Sequence, residues 1–359
     1  MSMKSGLARR RGSLILAATL AICTTVGAHA ASAQQRLLET GSSLLYPLFN
    51  LWVPVYTKSH PGVQITTEST GSGTGISEAI SGIAQIGASD AYMSNPLVRM
   101  HPTMLNIPLA ISSQMINYNV PGLNGMHLKL SGPVLAAMYS GRVLFWDDPM
   151  IARLNPGVRL PHKQIVLVHR TDGSGDTFIF TQFLAFSTPS WSNSLHYGTT
   201  VNWPQVPGAI GSNGNPGMVS SAKSVPYSVA YIGISYRAQS GQAGLHEAKL
   251  VNRDGRAVLD SPATVAAAVT AMASKTPPDE RLSLVFAPGA NSYPIVNYEY
   301  AIVKQQQASP QVANELKAFL KWATSPTGGN TPAMLAAASF QGLPAAVRAM
   351  SEKQIDTIH

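Results

Sequence analysis

Past residue 60 the chain alternates short apolar runs with segments of helical spacing, and no internal repeat or low-complexity linker interrupts the pattern. Such alternation points to α/β architecture, because apolar strands need a sheet and amphipathic segments need a face of that sheet to cover. Strands are expected at residues 63–67, 165–168, 229–234 and 300–303. Ser261-Pro262, Ser309-Pro310 and Thr331-Pro332 each set a hydroxyl N-cap before a proline suited to a first helical turn. Behind the first two caps, Val265, Ala268, Val269 and Met272, then Val312, Leu316, Phe319 and Leu320, recur at the spacing of one buried helix face.

A length of 359 residues is enough for two domains of ordinary size. Two extended segments, Met115-Ile116-Asn117-Tyr118-Asn119-Val120 and Ile295-Val296-Asn297-Tyr298-Glu299-Tyr300, share an Asn-Tyr pair although they lie far apart. They fit two strands of similar composition, or two crossovers between lobes. On the second reading one lobe is built from both ends of the chain and the other from its middle.

The N-terminus has the three-part layout of a secretory leader. Lys4, Arg9, Arg10 and Arg11 precede an apolar run over residues 13–22, and small residues follow to Ala31-Ser32-Ala33. Cleavage is expected after Ala33, with Ala30 as the second choice. The run falls short of the roughly 20 apolar residues of a membrane-spanning helix, and no later segment approaches that length. The expected product is exported, periplasmic and soluble. Cys23, the one cysteine, falls inside the leader, so cleavage leaves neither thiol nor disulfide. Leu20-Ala21-Ile22-Cys23 faintly matches a lipobox and offers lipidation as the alternative, although Ile22 stands where a small residue is expected.

Removing the four basic leader residues from the formal charge of +8 leaves +4. The remaining bases are scattered without interleaved aromatics, which argues against nucleic acid as a partner.

Three loops carry the chemistry. Thr40-Gly41-Ser42-Ser43-Leu44 precedes an apolar helical stretch, residues 45–52. Ser69-Thr70-Gly71-Ser72-Gly73-Thr74-Gly75 follows the strand at 63–67 and leads into helical spacing from Ile76. The third, residues 169–177, follows the strand ending at Val168 and runs into a helix from Phe178. A strand, a Gly/Ser turn and a helix together offer an anion free backbone N–H groups and the positive end of a helix dipole. The spacing of G-x-G-x-x-G is absent, and no glycine precedes the Lys-Ser/Thr of a P-loop. Thr70 and Asp172 stand where a nucleophile elbow needs its first glycine. The histidines show no ligand-like spacing, so no metal is expected.

Arg170 brings a planar, permanently charged fork that matches a tetrahedral oxyanion, and Asp172 is placed to hold it. Asp90 closes Ile86-Gly87-Ala88-Ser89-Asp90 at the carboxyl end of an expected strand, where open α/β sheets place ligand sites. A carboxylate accepts a hydrogen bond from an oxyanion that keeps a proton, as phosphate does near neutral pH, and repels sulfate, which has none.

These blocks, in this order, resemble the PstS family, the phosphate-binding components of a phosphate-specific ABC importer. The resemblance runs from Gly41-Ser42-Ser43-Leu44-Leu45-Tyr46-Pro47 through Gly71-Ser72-Gly73, residues 86–90 and Trp146-Asp147-Asp148-Pro149 to residues 170–177. It implies a two-lobed periplasmic-binding-protein fold, type II-like, with two hinge crossovers that close on the ligand. Lobe I would comprise residues 34–116 and 297–359, and lobe II residues 117–296. It also implies that Ser42, Ser43 and Leu44 form a first contact loop and that Ser72 is a hydroxyl donor supported by Gly73. Asp90 would accept the phosphate proton, and Arg170 would be the charged donor tethered by Asp172. Ser174, Gly175 and Asp176, supported by Thr177, would form the loop at a helix N-terminus. Ser43 and Asp176 stand where many relatives have threonine. Asp176 can only accept, so it is expected to take a second ligand proton or to cap the helix.

The implied partners are inorganic phosphate and membrane permease subunits. The protein is expected to be a monomer, to need no cofactor and to catalyse nothing. The alternatives are a secreted phosphatase-like hydrolase and a binder of another tetrahedral oxyanion, arsenate or sulfate.

Overall fold

The structure, a computed structural model, describes residues 35–123 and 125–359. The expected leader, Cys23 and the cleavage site after Ala33 lie outside the described residues. The strands are β1 (Gln35–Gly41), β2 (Val63–Ser69), β3 (Ile86–Ser89), β4 (Met104–Asn119), β5 (Lys129–Ser131), β6 (Val166–Arg170), β7 (Ile210–Ser212), β8 (Ser228–Gly233), β9 (His246–Glu247), β10 (Lys249–Val251), β11 (Ala257–Val258) and β12 (Val296–Lys304). The α-helices are α1 (Tyr46–Ser59), α2 (Ser72–Ser81), α3 (Asn95–Met100), α4 (Gly132–Tyr139), α5 (Pro149–Leu154), α6 (Gly175–Ser187), α7 (Pro189–Ser192), α8 (Gly214–Ser224), α9 (Arg237–Gln242), α10 (Pro262–Met272), α11 (Pro310–Thr324), α12 (Pro332–Ala337) and α13 (Ala345–Asp356).

The main sheet runs β2-β1-β3-β12-β4-β8-β6-β7, with β9 also on β4. Its two flanks are parallel: β2, β1 and β3 on one side, β8, β6 and β7 on the other. Between them β12 is antiparallel to β3 and to β4, and β4 is antiparallel to β8. The long strand β4 pairs with β12 as far as Ser113 and with β8 from Gln114 onward. It therefore passes from one α/β half to the other without a break. The two Asn-Tyr segments fall on β4 and β12.

The C-terminal helices return to the N-terminal half. Phe49 and Tyr56 of α1 pack against Phe319 of α11 at centroid distances of 6.1 and 5.0 Å. Trp52 Nε1 donates to the Gly329 carbonyl at 2.7 Å. Burying each such ring stabilises the half by roughly 1.5–3 kcal/mol. The other half has its own aromatic core, in which Phe180 of α6 stacks on Tyr231 of β8 at 4.5 Å and meets Tyr139 of α4 edge-on at 4.9 Å.

The caps at Ser261, Ser309 and Thr331 form as expected, each hydroxyl accepting a backbone N–H of the first turn. The second and third loops differ from their expected extents: α6 begins at Gly175, so Gly175, Asp176 and Thr177 are its first turn and not loop. Helix α2 begins at Ser72, so Ser72, Gly73, Thr74 and Gly75 are its first turn and not loop.

Candidate functional site

The C-terminal ends of β1, β2 and β3 in one half and of β6 and β7 in the other carry all the predicted loops. The structure brings them into direct contact. Gly73 N–H donates to the Gly173 carbonyl at 2.8 Å, and a Cβ on Gly73 would lie 3.0 Å from the Gly173 Cα. A Cβ on Gly175 would lie 2.5 Å from Ser72 Oγ and 2.6 Å from Asp90 Cβ, so only glycine lets α6 start against Asp90.

Asp90, just past β3, is buried at the centre. Ser42 Oγ accepts the N–H groups of Leu44 and Leu45 at 3.1 and 3.0 Å and spends its one proton on Asp90 Oδ1. Ser72 Oγ accepts the Asp90 N–H at 3.2 Å and lies 3.5 Å from Asp90 Oδ2. Burial, with the nearby Asp176 charge, pushes Asp90 up to about 7, against the hydrogen bonds of Glu299 and Ser42 and the Arg170 charge. The Leu44 side chain is buried, and a Cβ on Gly233 of β8 would lie 3.1 Å from its Cβ.

Arg170, at the end of β6, has a nearly fully buried side chain. Its backbone N–H donates to the Tyr231 hydroxyl at 2.9 Å, which ties the residue to the aromatic core. Asp172 grips one guanidinium edge through Nε at 2.7 Å and through Nη2. Nη1 donates to Asp176 Oδ2 at 2.8 Å. Burial disfavours the guanidinium charge, but the hydrogen bonds of Asp172 and the two carboxylate charges outweigh it and raise its pKa above the ordinary value. Burial also opposes the Asp172 charge, yet the Arg170 hydrogen bonds and charge prevail and hold Asp172 below the usual range.

Asp176 does not cap α6. Ser174 is the N-cap, its hydroxyl accepting the Thr177 N–H at 3.2 Å. Asp176 instead accepts from Arg170, from Asn215 Nδ2 at 2.6 Å and from Gln114 Nε2 at 3.0 Å. Burial raises its pKa against the Arg170 charge and those two amides. The helix-capping alternative fails because a serine one residue before the helix already occupies the N-cap position.

Asn215, in the first turn of α8, also donates through N and Nδ2 to Ser43 Oγ at 3.1 and 3.0 Å. Ser43 thus keeps its own hydroxyl proton unclaimed among the described residues. The backbone N–H groups of Ser43, Ser72, Gly175 and Asp176 likewise meet no protein acceptor among the described residues. Free amides at two helix N-termini, the hydroxyls of Ser43 and Ser174, one guanidinium and two carboxyls form a set that can hold a protonated oxyanion.

Asn215, Gln114, Tyr231 and Glu299 were missed by sequence reasoning. A signal existed for one of them. Ser212-Asn213-Gly214-Asn215 repeats the strand, Gly/polar turn and helix layout of the other loops. Among the described residues no group of three His, Cys, Asp or Glu side chains is placed to hold a metal ion. His169 Nδ1 lies 3.2 Å from the Arg170 carbonyl, and its ring packs on Trp203 at 5.1 Å. A roomier cavity, of about 450 Å³, lies elsewhere and is lined by Ser113, Arg237, Asp260 and Asn330 among others. It holds none of the predicted site residues.

The fold and this constellation place the chain in a class. A family model described as the PBP superfamily domain matches residues 27–327. The phosphate-binding protein PstS of Methanocaldococcus jannaschii is 34% identical, over 85% of this chain and 82% of the relative. That of Pasteurella multocida is 31% identical, over 80% and 82%. The chain belongs to the PstS family of phosphate-binding proteins. Its fold is also that of the high-affinity periplasmic phosphate-binding protein PfluDING, with a TM-score of 0.71, 20% identity and coverage of 89% of this chain and 93% of that one. These comparisons agree with the two-lobed α/β expectation.

Proposed function

We propose that this chain binds inorganic phosphate between its two halves and delivers it, as an exported periplasmic monomer, to the membrane subunits of an ABC importer. The observation that carries the reading is the meeting of α2 and α6 N-termini around Asp90, with Arg170 and Asp176 alongside. The naming of its relatives as phosphate-binding proteins supports it. Ser42, Ser43, Leu44, Ser72, Asp90, Arg170, Ser174, Gly175 and Asp176 form the binding set, with Asp172, Gly73 and Thr177 in support. Asp90 and Asp176 accept the two protons of the phosphate monoanion, and the Asp172-held guanidinium with the free amides offsets its charge.

The lobes are residues 34–116 with 297–359, and residues 117–296. The change of partner on β4 at Ser113/Gln114 supports that division. Micromolar binding needs about 8 kcal/mol. Contacts of roughly 0.5–3 kcal/mol each supply that in this site after desolvation and closure costs. The chain reads as a binding protein and not an enzyme: Ser42 and Ser72 lend their hydroxyls to Asp90, and its relatives are named as binding proteins. Arsenate carries the same protons as phosphate and is expected to compete.

Equilibrium dialysis of the phosphate-stripped protein against labelled phosphate tests the reading. One site per chain, displaced by arsenate and untouched by excess sulfate, is expected. Displacement by sulfate alone, or turnover of a phosphate ester, overturns it.

A further inference from the structure

Glu299 belongs to none of the loops above. It sits within β12 opposite Ala110 of β4, fully buried, at the point where the pairing register shifts. Its Oε1 accepts the Ser112 hydroxyl, and its Oε2 meets no donor among the described side chains. Tyr300 pairs with Ser89 across the antiparallel β12–β3 ladder, which brings the buried carboxyl of Glu299 beside that of Asp90, close enough for the two to share a hydrogen bond. Asn297, two residues earlier on the same strand, donates its amide to the Asp90 carbonyl, so β12 grips Asp90 by backbone and by side chain.

Two carboxyls share a hydrogen bond only when one of them carries a proton. The surroundings say which one. Asp90 feels the negative charge of Asp176, as Glu299 does, but it also accepts Ser42 Oγ, lies beside Ser72 Oγ and feels the positive charge of Arg170. The charges that act most on Glu299 are Asp90 and Asp176, both acidic, and Ser112 is its one hydroxyl donor among the described residues. Burial first, then the charge and hydrogen bond of Asp90, raise Glu299 well above the carboxylate range.

We propose that Glu299 is a positioning and specificity residue: its carboxyl holds a proton, donates it to Asp90, and so keeps Asp90 an acceptor that recognises a protonated oxyanion. The inference rests on the phosphate reading above and deepens it. Without that donor, Asp90 lowers its cost of burial by taking up a proton of its own. A protonated Asp90 donates, and an oxyanion with no proton to give is then no longer refused. Discrimination against sulfate is thus placed partly in a residue of the strand behind the site. Loss of the Glu299 proton at alkaline pH sets two facing charges in a buried space, which weakens anion binding there.

The test compares the full chain, stripped of phosphate, with Glu299→Met and Glu299→Gln. Methionine keeps the approximate volume and removes the donor. Glutamine still donates to Asp90 and still accepts from Ser112, but cannot lose a proton. Calorimetric titrations with phosphate and with sulfate across pH 5.5–9 are expected to show the phosphate-over-sulfate ratio falling about tenfold or more in Glu299→Met. Glu299→Gln is expected to rescue the ratio and to flatten the alkaline fall in phosphate affinity.

Difference infrared spectra of wild type against Glu299→Gln supply a readout that needs no ligand: a buried protonated carboxyl band, lost in the variant. If Glu299→Met keeps the ratio, or Glu299→Gln fails to rescue it, or no such band is lost, the proposal is wrong while phosphate binding stands. If the wild type ignores phosphate, the functional reading fails instead, and the infrared band still decides the protonation of Glu299.

Discussion

Arg170 Nη1 donates to Asp176 Oδ2 at 2.8 Å while Asp172 holds the opposite edge, so the one guanidinium of the site is clasped by two carboxylates. Asp176 thereby changes what the cation can offer a ligand. In Asp176→Thr the outward donor of Arg170 is released and a hydroxyl donor is added. Phosphate affinity at pH 8 is expected to rise about tenfold, or about 1.4 kcal/mol.

The same substitution sets a pH signature. Burial raises the pKa of Asp176, so its protonated fraction grows as pH falls, and with it the site's tolerance of an anion. Wild-type affinity is expected to decline more steeply between pH 6 and 9 than that of Asp176→Thr. Parallel declines in isothermal titrations would remove Asp176 from the proton account.

Asp90 is the acceptor around which Ser42 and Ser72 are arranged. Asp90→Asn replaces one acceptor oxygen by a donor of nearly the same shape. The phosphate-over-sulfate ratio is expected to fall at least about tenfold, chiefly through gained sulfate binding. Competition dialysis reads this directly, and an unchanged ratio would deny Asp90 its role.

Gly175 sits in the first turn of α6 without a positive φ, so alanine there strains no backbone and favours the helix. Its Cβ would nonetheless lie 2.5 Å from Ser72 Oγ and 2.6 Å from Asp90 Cβ, in the opposite half of the molecule. Gly175→Ala is expected to hold the halves apart, weakening phosphate about a hundredfold with the melting temperature of the ligand-free protein nearly unchanged. Retained affinity would show that the two helix starts need not meet.

Glu280 lies away from the site, accepting from Ser351 Oγ at 3.0 Å and Gln354 Nε2 at 2.6 Å. Burial raises its pKa to about 8 against those hydrogen bonds. A carboxyl raised on folding contributes stability that is present below its unfolded pKa, about 4.3, and is lost as pH rises through about 8. Between pH 5 and 8.5 that loss is on the order of a few kcal/mol. Denaturation curves of Glu280→Gln are expected to show a smaller fall over this range, and an identical fall would place the titration elsewhere.

What could be read from the sequence is what local chemistry decides. Ser261, Ser309 and Thr331 cap helices because a hydroxyl before proline has few other uses there. The three Gly/Ser loops announced themselves in the same way, and Asp172 two residues after Arg170 was within reach of its guanidinium on any reading. Asp176 was harder. Its neighbours Asn215 and Gln114 lie 39 and 62 residues away, and only the order β4-β8-β6-β7 brings them together. Glu299 was invisible for the same reason: an acid inside an apolar strand acquires a purpose only once β12 is known to lie beside β3, which ends one residue before Asp90.

The central claim is that one tetrahedral anion sits where α2 and α6 begin, and a crystal structure of the phosphate-soaked protein tests it most directly. The account predicts a single phosphate within hydrogen-bonding distance of Asp90, Arg170 and the Gly175 and Asp176 amides. Phosphate bound instead in the cavity beside Arg237 and Asp260, or absent from the α6 N-terminus at saturating concentration, would contradict it.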